Sequence, residues 1–228
     1  MPTITVEGFE GGSLGRLLQL SSASLPVGAF AYSEGLERLV WDGVIQNTGG
    51  LLTWLEDHLR YGPIRVEAAI LRRVYEAAQS GDEVVQVIWD AWVSASRESE
   101  ELRQQSRDMG RALWRIYQTL ADTRAEGRMP ENFVTAYALV AMDWRIPLPA
   151  ATYAYLHSWA NNLVTAGVKL VPLGQLAGQE LLWQLQGALG NATGAALSME
   201  DDELCAWGAG LALASMRHET QYSRLFRS

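Results

Sequence analysis

Apolar residues recur at intervals of three and four along almost the whole chain, and that spacing marks one face of an α-helix turning once per 3.6 residues. Leu14, Leu17, Leu18 and Leu20 open the pattern from a helix start near Ser13. Leu51, Leu52, Leu55 and Leu59 repeat it behind Thr48 as a cap, up to the stop at Gly62-Pro63. Val66 to about Gln79 and Glu83 to Ser94 continue it, divided by Ser80-Gly81-Asp82, which ends one helix and caps the next. A charged helix is predicted from about Ser96 to Ala125, Pro130 opens another in its first turn, and Pro147 and Pro149 introduce the one after.

That following helix, about Ala150 to Val171, spans about 33 Å at 1.5 Å per residue and is apolar on nearly every side, which predicts a central position. Ala160, Ala166 and Gly167 permit close helix contacts, while Asn161, Asn162, Thr165 and Lys169 require hydrogen-bond partners or an interface. Pro172 starts a further helix carrying Gln175 and Gln179, Gly187 to Gly194 reads as a break, and a last helix follows Glu200-Asp-Asp-Glu203 through Trp207, Leu211 and Ala214. No window alternates apolar and polar residues as a half-buried strand does. The fold class predicted is all-α: a single globular bundle of roughly ten helices over residues 13–216, with 1–12 a flexible N-terminal segment and 217–228 a separate tail.

One run escapes the helical period. From Leu20 to Glu37, Pro26 fixes its own φ and pushes Leu25 out of the α region, Gly28 and Gly35 admit unusual backbone geometry, and Leu25, Val27, Phe30 and Tyr32 are interleaved between them. This predicts a buried turn, with Ser33 capping a helix that carries Glu34 and Glu37 in its first turn and runs to about Gly43. A plain corner seating Phe30 in the core uses the same residues.

In the charged helix, Arg103, Arg107 and Arg111 share one face, and pairs of Arg97 with Glu101, Glu100 with Arg103 and Asp108 with Arg111 relieve their repulsion only in part. Such a stripe is either a solvated face or a surface for a partner or a second copy. Lys169 lies in the last turn before Pro172, where a cation suits the helix dipole; it is the only lysine of the middle and C-terminal thirds. The tail from Met216 mixes Arg217, Arg224 and Arg227 with Tyr222, Leu225 and Phe226. Chain ends are disordered by default, but aromatic and arginine anchors are what interfaces use, so the tail is expected to become ordered on a partner.

Composition narrows the function. A hydrophobic content of 48% with 19% charged residues suits a globular core, and nine tryptophans make that core or an interface unusually aromatic. A net charge of −8 argues against nucleic acid as a partner. No run reaches the roughly 18 apolar residues of a membrane span, and no basic, then apolar, leader opens the chain, so the expected place is the cytoplasm, with no membrane contact. The single Cys205 excludes an internal disulfide and, set in an apolar run, reads as a small buried hydrophobe. Phosphate-binding loops, dinucleotide fingerprints, nucleophile elbows and His-Glu-x-x-His or Glu-x-x-His pairs are missing, and His58, His157 and His218 are scattered. No catalytic residue, cofactor site or metal site is assigned, and the chain reads as a binding protein.

Four stretches carry a resemblance. Leu17 to Glu37, L-L-Q-L-S-S-A-S-L-P-V-G-A-F-A-Y-S-E-G-L-E, resembles the N-terminal signature of the urease accessory protein F (UreF) family. Arg97-Glu-Ser-Glu-Glu-Leu-Arg-Gln-Gln-Ser-Arg-Asp-Met-Gly110 is similar to the family's charged central helix, Asn161-Asn-Leu-Val-Thr-Ala-Gly-Val-Lys-Leu-Val-Pro-Leu-Gly-Gln175 to its longest shared block, and Arg217 to Ser228 to its ending. The resemblance implies a homodimeric, non-catalytic adaptor that joins the GTPase UreG to a second accessory protein, UreD (also called UreH), on apo-urease during nickel delivery. Carried over by position, the partner-binding residues are Phe30, Tyr32, Glu34 and Glu37 in the signature, Arg97, Glu98, Glu101 and Arg103 in the central helix, and Lys169 and Gln175 in the long block. Arg217, Tyr222, Arg224, Leu225 and Phe226 are assigned to the second subunit. An alternative is activation of the GTPase in trans by an arginine finger, with Arg97, Arg103 or Arg107 as candidates. A nickel carrier built from Cys205 and scattered histidines is disfavoured.

Overall fold

The computed structural model describes residues 8–120, 128–205 and 209–227. Eleven α-helices and two 3-10 turns follow one another with no strand among the described residues: α1 (Ser13–Leu20), a 3-10 turn (Ala29–Ala31), α2 (Leu36–Trp41), α3 (Thr48–Tyr61), α4 (Pro63–Ser80), α5 (Glu83–Ser96), α6 (Glu100–Leu120), α7 (Phe133–Asp143), α8 (Leu148–Leu170), α9 (Gln175–Gln184), α10 (Gln186–Ser198), a second 3-10 turn (Asp201–Glu203) and α11 (Ala209–His218). The all-α expectation holds. No described helix is long and apolar enough to cross a membrane.

Helix α8 lies at the centre, as its apolar circumference predicts, packed on α1, α2, α3, α4, α7, α9 and α10. The buried series Ile64, Ala68, Leu71 and Val74 faces α4 inward, and α4 packs against α3, α5, α7, α8 and α10. The small residues of α8 act as expected: Ala160, Ala166 and Gly167 are all buried, and Gly167 stands directly under Leu51 of α3.

Several boundaries differ from the sequence reading, each for a local reason. Gly28 and Gly35 both take positive φ, 81° and 83°, so the signature turns twice and α2 starts only at Leu36; Ser33 is buried in front of it. Asn47, not Thr48, caps α3, its side chain accepting the N–H of Gly50 at 2.9 Å. Pro130 does not open α7. Asn132 does, held in place by the Asp90 carboxylate, which accepts its backbone N–H at 3.0 Å and that of Glu131 at 2.8 Å. The expected end of the charged helix at Ala125 lies outside the described residues, as do residues 1–7 and Trp207.

The expected break at Gly187 to Gly194 is instead the body of α10. Leu189, Ala192, Thr193 and Ala196 are buried at helical spacing, whereas Gly187, Gly190 and Gly194 face open space. Burial of that stripe outweighs the roughly 0.5–1 kcal/mol that each glycine costs in a helix. Arg72 and Arg73 then donate to the carbonyls of Leu197 and Met199 at the helix's far end. Cys205 is exposed rather than buried, because it leaves the body just past the capped turn at 200–203.

Candidate partner-docking site

The tail is anchored by one carboxylate. Glu37 is buried on α2, and its side chain accepts the backbone N–H of Leu225 at 2.7 Å and of Phe226 at 3.0 Å. Nε2 of His218, itself fully buried, stands 3.1 Å from the same carboxylate, and Nδ1 stands 2.8 Å from Glu101 of α6. Glu101 also pairs with Arg224. Glu219 completes the clasp by accepting the N–H of Glu100 at 2.9 Å, which closes the N-terminus of α6. Further on, the Arg227 N–H donates to the Ala31 carbonyl at 2.8 Å, laying the tail beside the signature turn.

Phe226 is buried in the core with the Lys169 ammonium 5.9 Å from its ring centre, within cation–π range. The tail is therefore ordered on its own domain, contrary to the expectation that it awaits a partner. Two backbone donors and a buried aromatic anchor hold it without one. Outward, beside the exposed Arg224 and Arg227, it offers large apolar groups: Tyr222 is fully exposed, Leu225 is 66% exposed, and Phe30 on the adjoining turn is 71% exposed. Phe30 does not enter the core, so the corner is built without it.

The remaining predicted residues divide. Tyr32 is buried, its carbonyl accepting from Asn162 Nδ2 at 3.2 Å, and its phenol pKa is raised by burial and by Asp108. Glu34 and Arg97 turn inward to a second cluster. Trp159 Nε1–H and Gln105 Nε2–H donate to Glu34 at 2.9 and 2.8 Å, while Arg97 reaches Glu67 of α4 at 3.1 Å, whose other oxygen accepts from the Tyr155 hydroxyl at 2.8 Å. Burial first, then the nearby Glu67, raises the Glu34 pKa, and Trp159 oppose it. Arg97 thus pairs with Glu67 and not with Glu101. Lys169 and Arg217 are exposed beside the tail, whereas Glu98 and Gln175 are exposed and join neither group.

On the charged helix, Arg103 pairs with Glu100, Arg107 with Glu100 and Glu131, and Arg111 with Asp108. The three arginine-finger candidates, Arg97, Arg103 and Arg107, are thus each engaged by a carboxylate. Sequence reasoning missed Glu67, Gln105, Tyr155 and Trp159, and it left His218 without a role. Only Glu67 gave a signal, as a carboxylate on the α4 face that otherwise buries Ile64 and Leu71. Among the described residues no three His, Cys, Asp or Glu side chains converge to hold a metal ion.

The chain is similar to known proteins of one family. The UreF family model matches residues 45–186. The chain is 52% identical to a urease accessory protein UreF of Nostoc sp. over 219 residues, covering 93% of this chain and 94% of that one. It is 51% identical to a urease accessory protein UreF of Trichormus variabilis, with the same coverage. A bifunctional urease accessory protein UreEF of Bordetella bronchiseptica is 39% identical across 96% of this chain and 53% of its own length.

Proposed function

Because the chain belongs to the UreF family of urease accessory proteins, we propose that it is a non-catalytic adaptor that joins the GTPase UreG to the accessory protein UreD (UreH) and so supports nickel delivery to apo-urease. In this role it works as a homodimer in the cytoplasm. The observation that carries the reading is the tail: folded back through Glu37 and Ala31, it leaves Phe30, Tyr222 and Leu225 exposed around one clasp. Exposed aromatic anchors on a rigid support are the residues that dominate protein interfaces, and here no ordering cost remains to be met on binding. We assign this face to UreD. The fused relative named UreEF supports a place beside other accessory factors.

The outer face of α6, where Arg103, Arg107 and Arg111 are each matched by a carboxylate, is assigned to UreG. Arg97 lies on an inner wall behind Glu67, which favours a scaffolding role over donation of an arginine finger. The test is co-purification with UreD of the variant carrying both Tyr222→Ala and Leu225→Ala. Capture should fall at least tenfold while the helical circular dichroism stays unchanged. Full capture by this variant would remove UreD from the tail face.

A further inference from the structure

Of the three histidines only His218 is sealed from solvent, and what faces it is acid. Its Nδ1 stands 2.8 Å from Glu101 and its Nε2 3.1 Å from Glu37. Both carboxylates already accept from other donors: the two oxygens of Glu37 take the Leu225 and Phe226 amides, and Glu101 takes Arg224. Hydrogen bonds donated to a carboxylate favour its ionised form, which can only accept. Each ring nitrogen must therefore donate, and a neutral imidazole carries a single N–H. Among the described residues no other charged side chain is bonded to the ring. Glu219 turns away to the N–H of Glu100, Lys169 of α8 lies over Phe226, and Arg217 is exposed.

The consequence falls on the tail. A ring with one proton fewer turns a lone pair toward a carboxylate in a site closed to water, so one of the two contacts must open. We propose that His218 is a positioning residue that seats the tail only while it donates from both nitrogens, which makes the placement of Tyr222 and Leu225 depend on a proton. The seated cluster holds one proton more than an open tail with a neutral histidine, so acid tightens the latch and alkali releases it. This latch belongs to the tail itself and works whichever protein meets those side chains.

The test follows hydrogen exchange of the full-length chain from about pH 6 to about pH 9, each amide's rate being divided by that of an unstructured peptide at the same pH. Protection of Leu225 and Phe226 should fall about tenfold per pH unit once the ring titrates, the slope of one proton, while α4 and α8 keep theirs. Nitrogen-15 shifts of His218 should show two N–H nitrogens as long as the tail is seated. Two variants separate a proton latch from plain packing. Glu101→Gln can offer an N–H to a bare ring nitrogen, so its tail should stay protected with the slope gone. His218→Gln cannot take up a proton and should lose the slope as well. A bare ring nitrogen in the seated tail, wild-type protection that does not fall with pH, an unprotected tail in Glu101→Gln, or an unchanged slope in either variant would overturn the proposal.

Discussion

At the scale of the residue, Glu37 has the largest consequence for its size. One carboxylate serves donors 181 and 188 positions away in the chain. Replacing it in Glu37→Ala leaves the amides of Leu225 and Phe226 facing a site without an acceptor, at about 1–3 kcal/mol for the buried Phe226 donor and less for the part-buried Leu225 one. The cost should appear as local opening rather than global unfolding, because only the tail depends on the group. Hydrogen exchange at Leu225 and Phe226 is expected to accelerate by at least tenfold, with α4 and α8 protected as before; unchanged exchange would show that the tail is held by Phe226 alone. Glu37 stood out in the sequence, but as a partner-facing residue. Its partners are invisible there because nothing in local spacing relates α2 to a segment almost the full chain away. Cys205 misled for the converse reason: its apolar neighbours resemble a core, whereas its exposure follows from the turn at 200–203 that carries the backbone outward.

At the scale of the element, helix existence was legible and helix edges were not. Periodicity reports a buried face, which is a property of many residues, whereas an edge depends on one cap and on what approaches it. Pro130 looked like a helix start until Asp90, 42 positions from Asn132, supplied the interaction that sets α7. The glycines of α10 looked like a break because their outward register is visible only once its buried stripe is known. Helix contacts make a sharper prediction. A Cβ at Gly110 of α6 would lie 2.9 Å from the backbone carbonyl carbon of Asn132, so α6 and the entry to α7 would have to separate. At Gly167 the obstacle is the tip of the Leu51 side chain, which can rotate aside. Gly110→Ala should therefore destabilise by about 1–3 kcal/mol, as overpacking does, and Gly167→Ala by less. Paired thermal melts of the two variants decide it, and equal losses would contradict the distinction between backbone and side-chain obstacles.

At the scale of the molecule, the sequence displayed the aromatic and arginine content of the tail but not that the body already supplies its seat. An ordered tail means that the isolated chain carries its proposed docking face ready made, and the proposed dimer is likewise expected to form without another protein. The purified chain should run in light scattering at twice its 25.2 kDa, with two copies retained in any complex that contains UreD and UreG. A monomer in both settings would leave the adaptor without its twofold. Finally, Lys169 is the only lysine in the sequence, and it stands at the seam where Phe226 enters the body. An amine-directed acyl reagent consequently has a single side-chain target in the whole protein, and that target reports whether the end of the chain is seated.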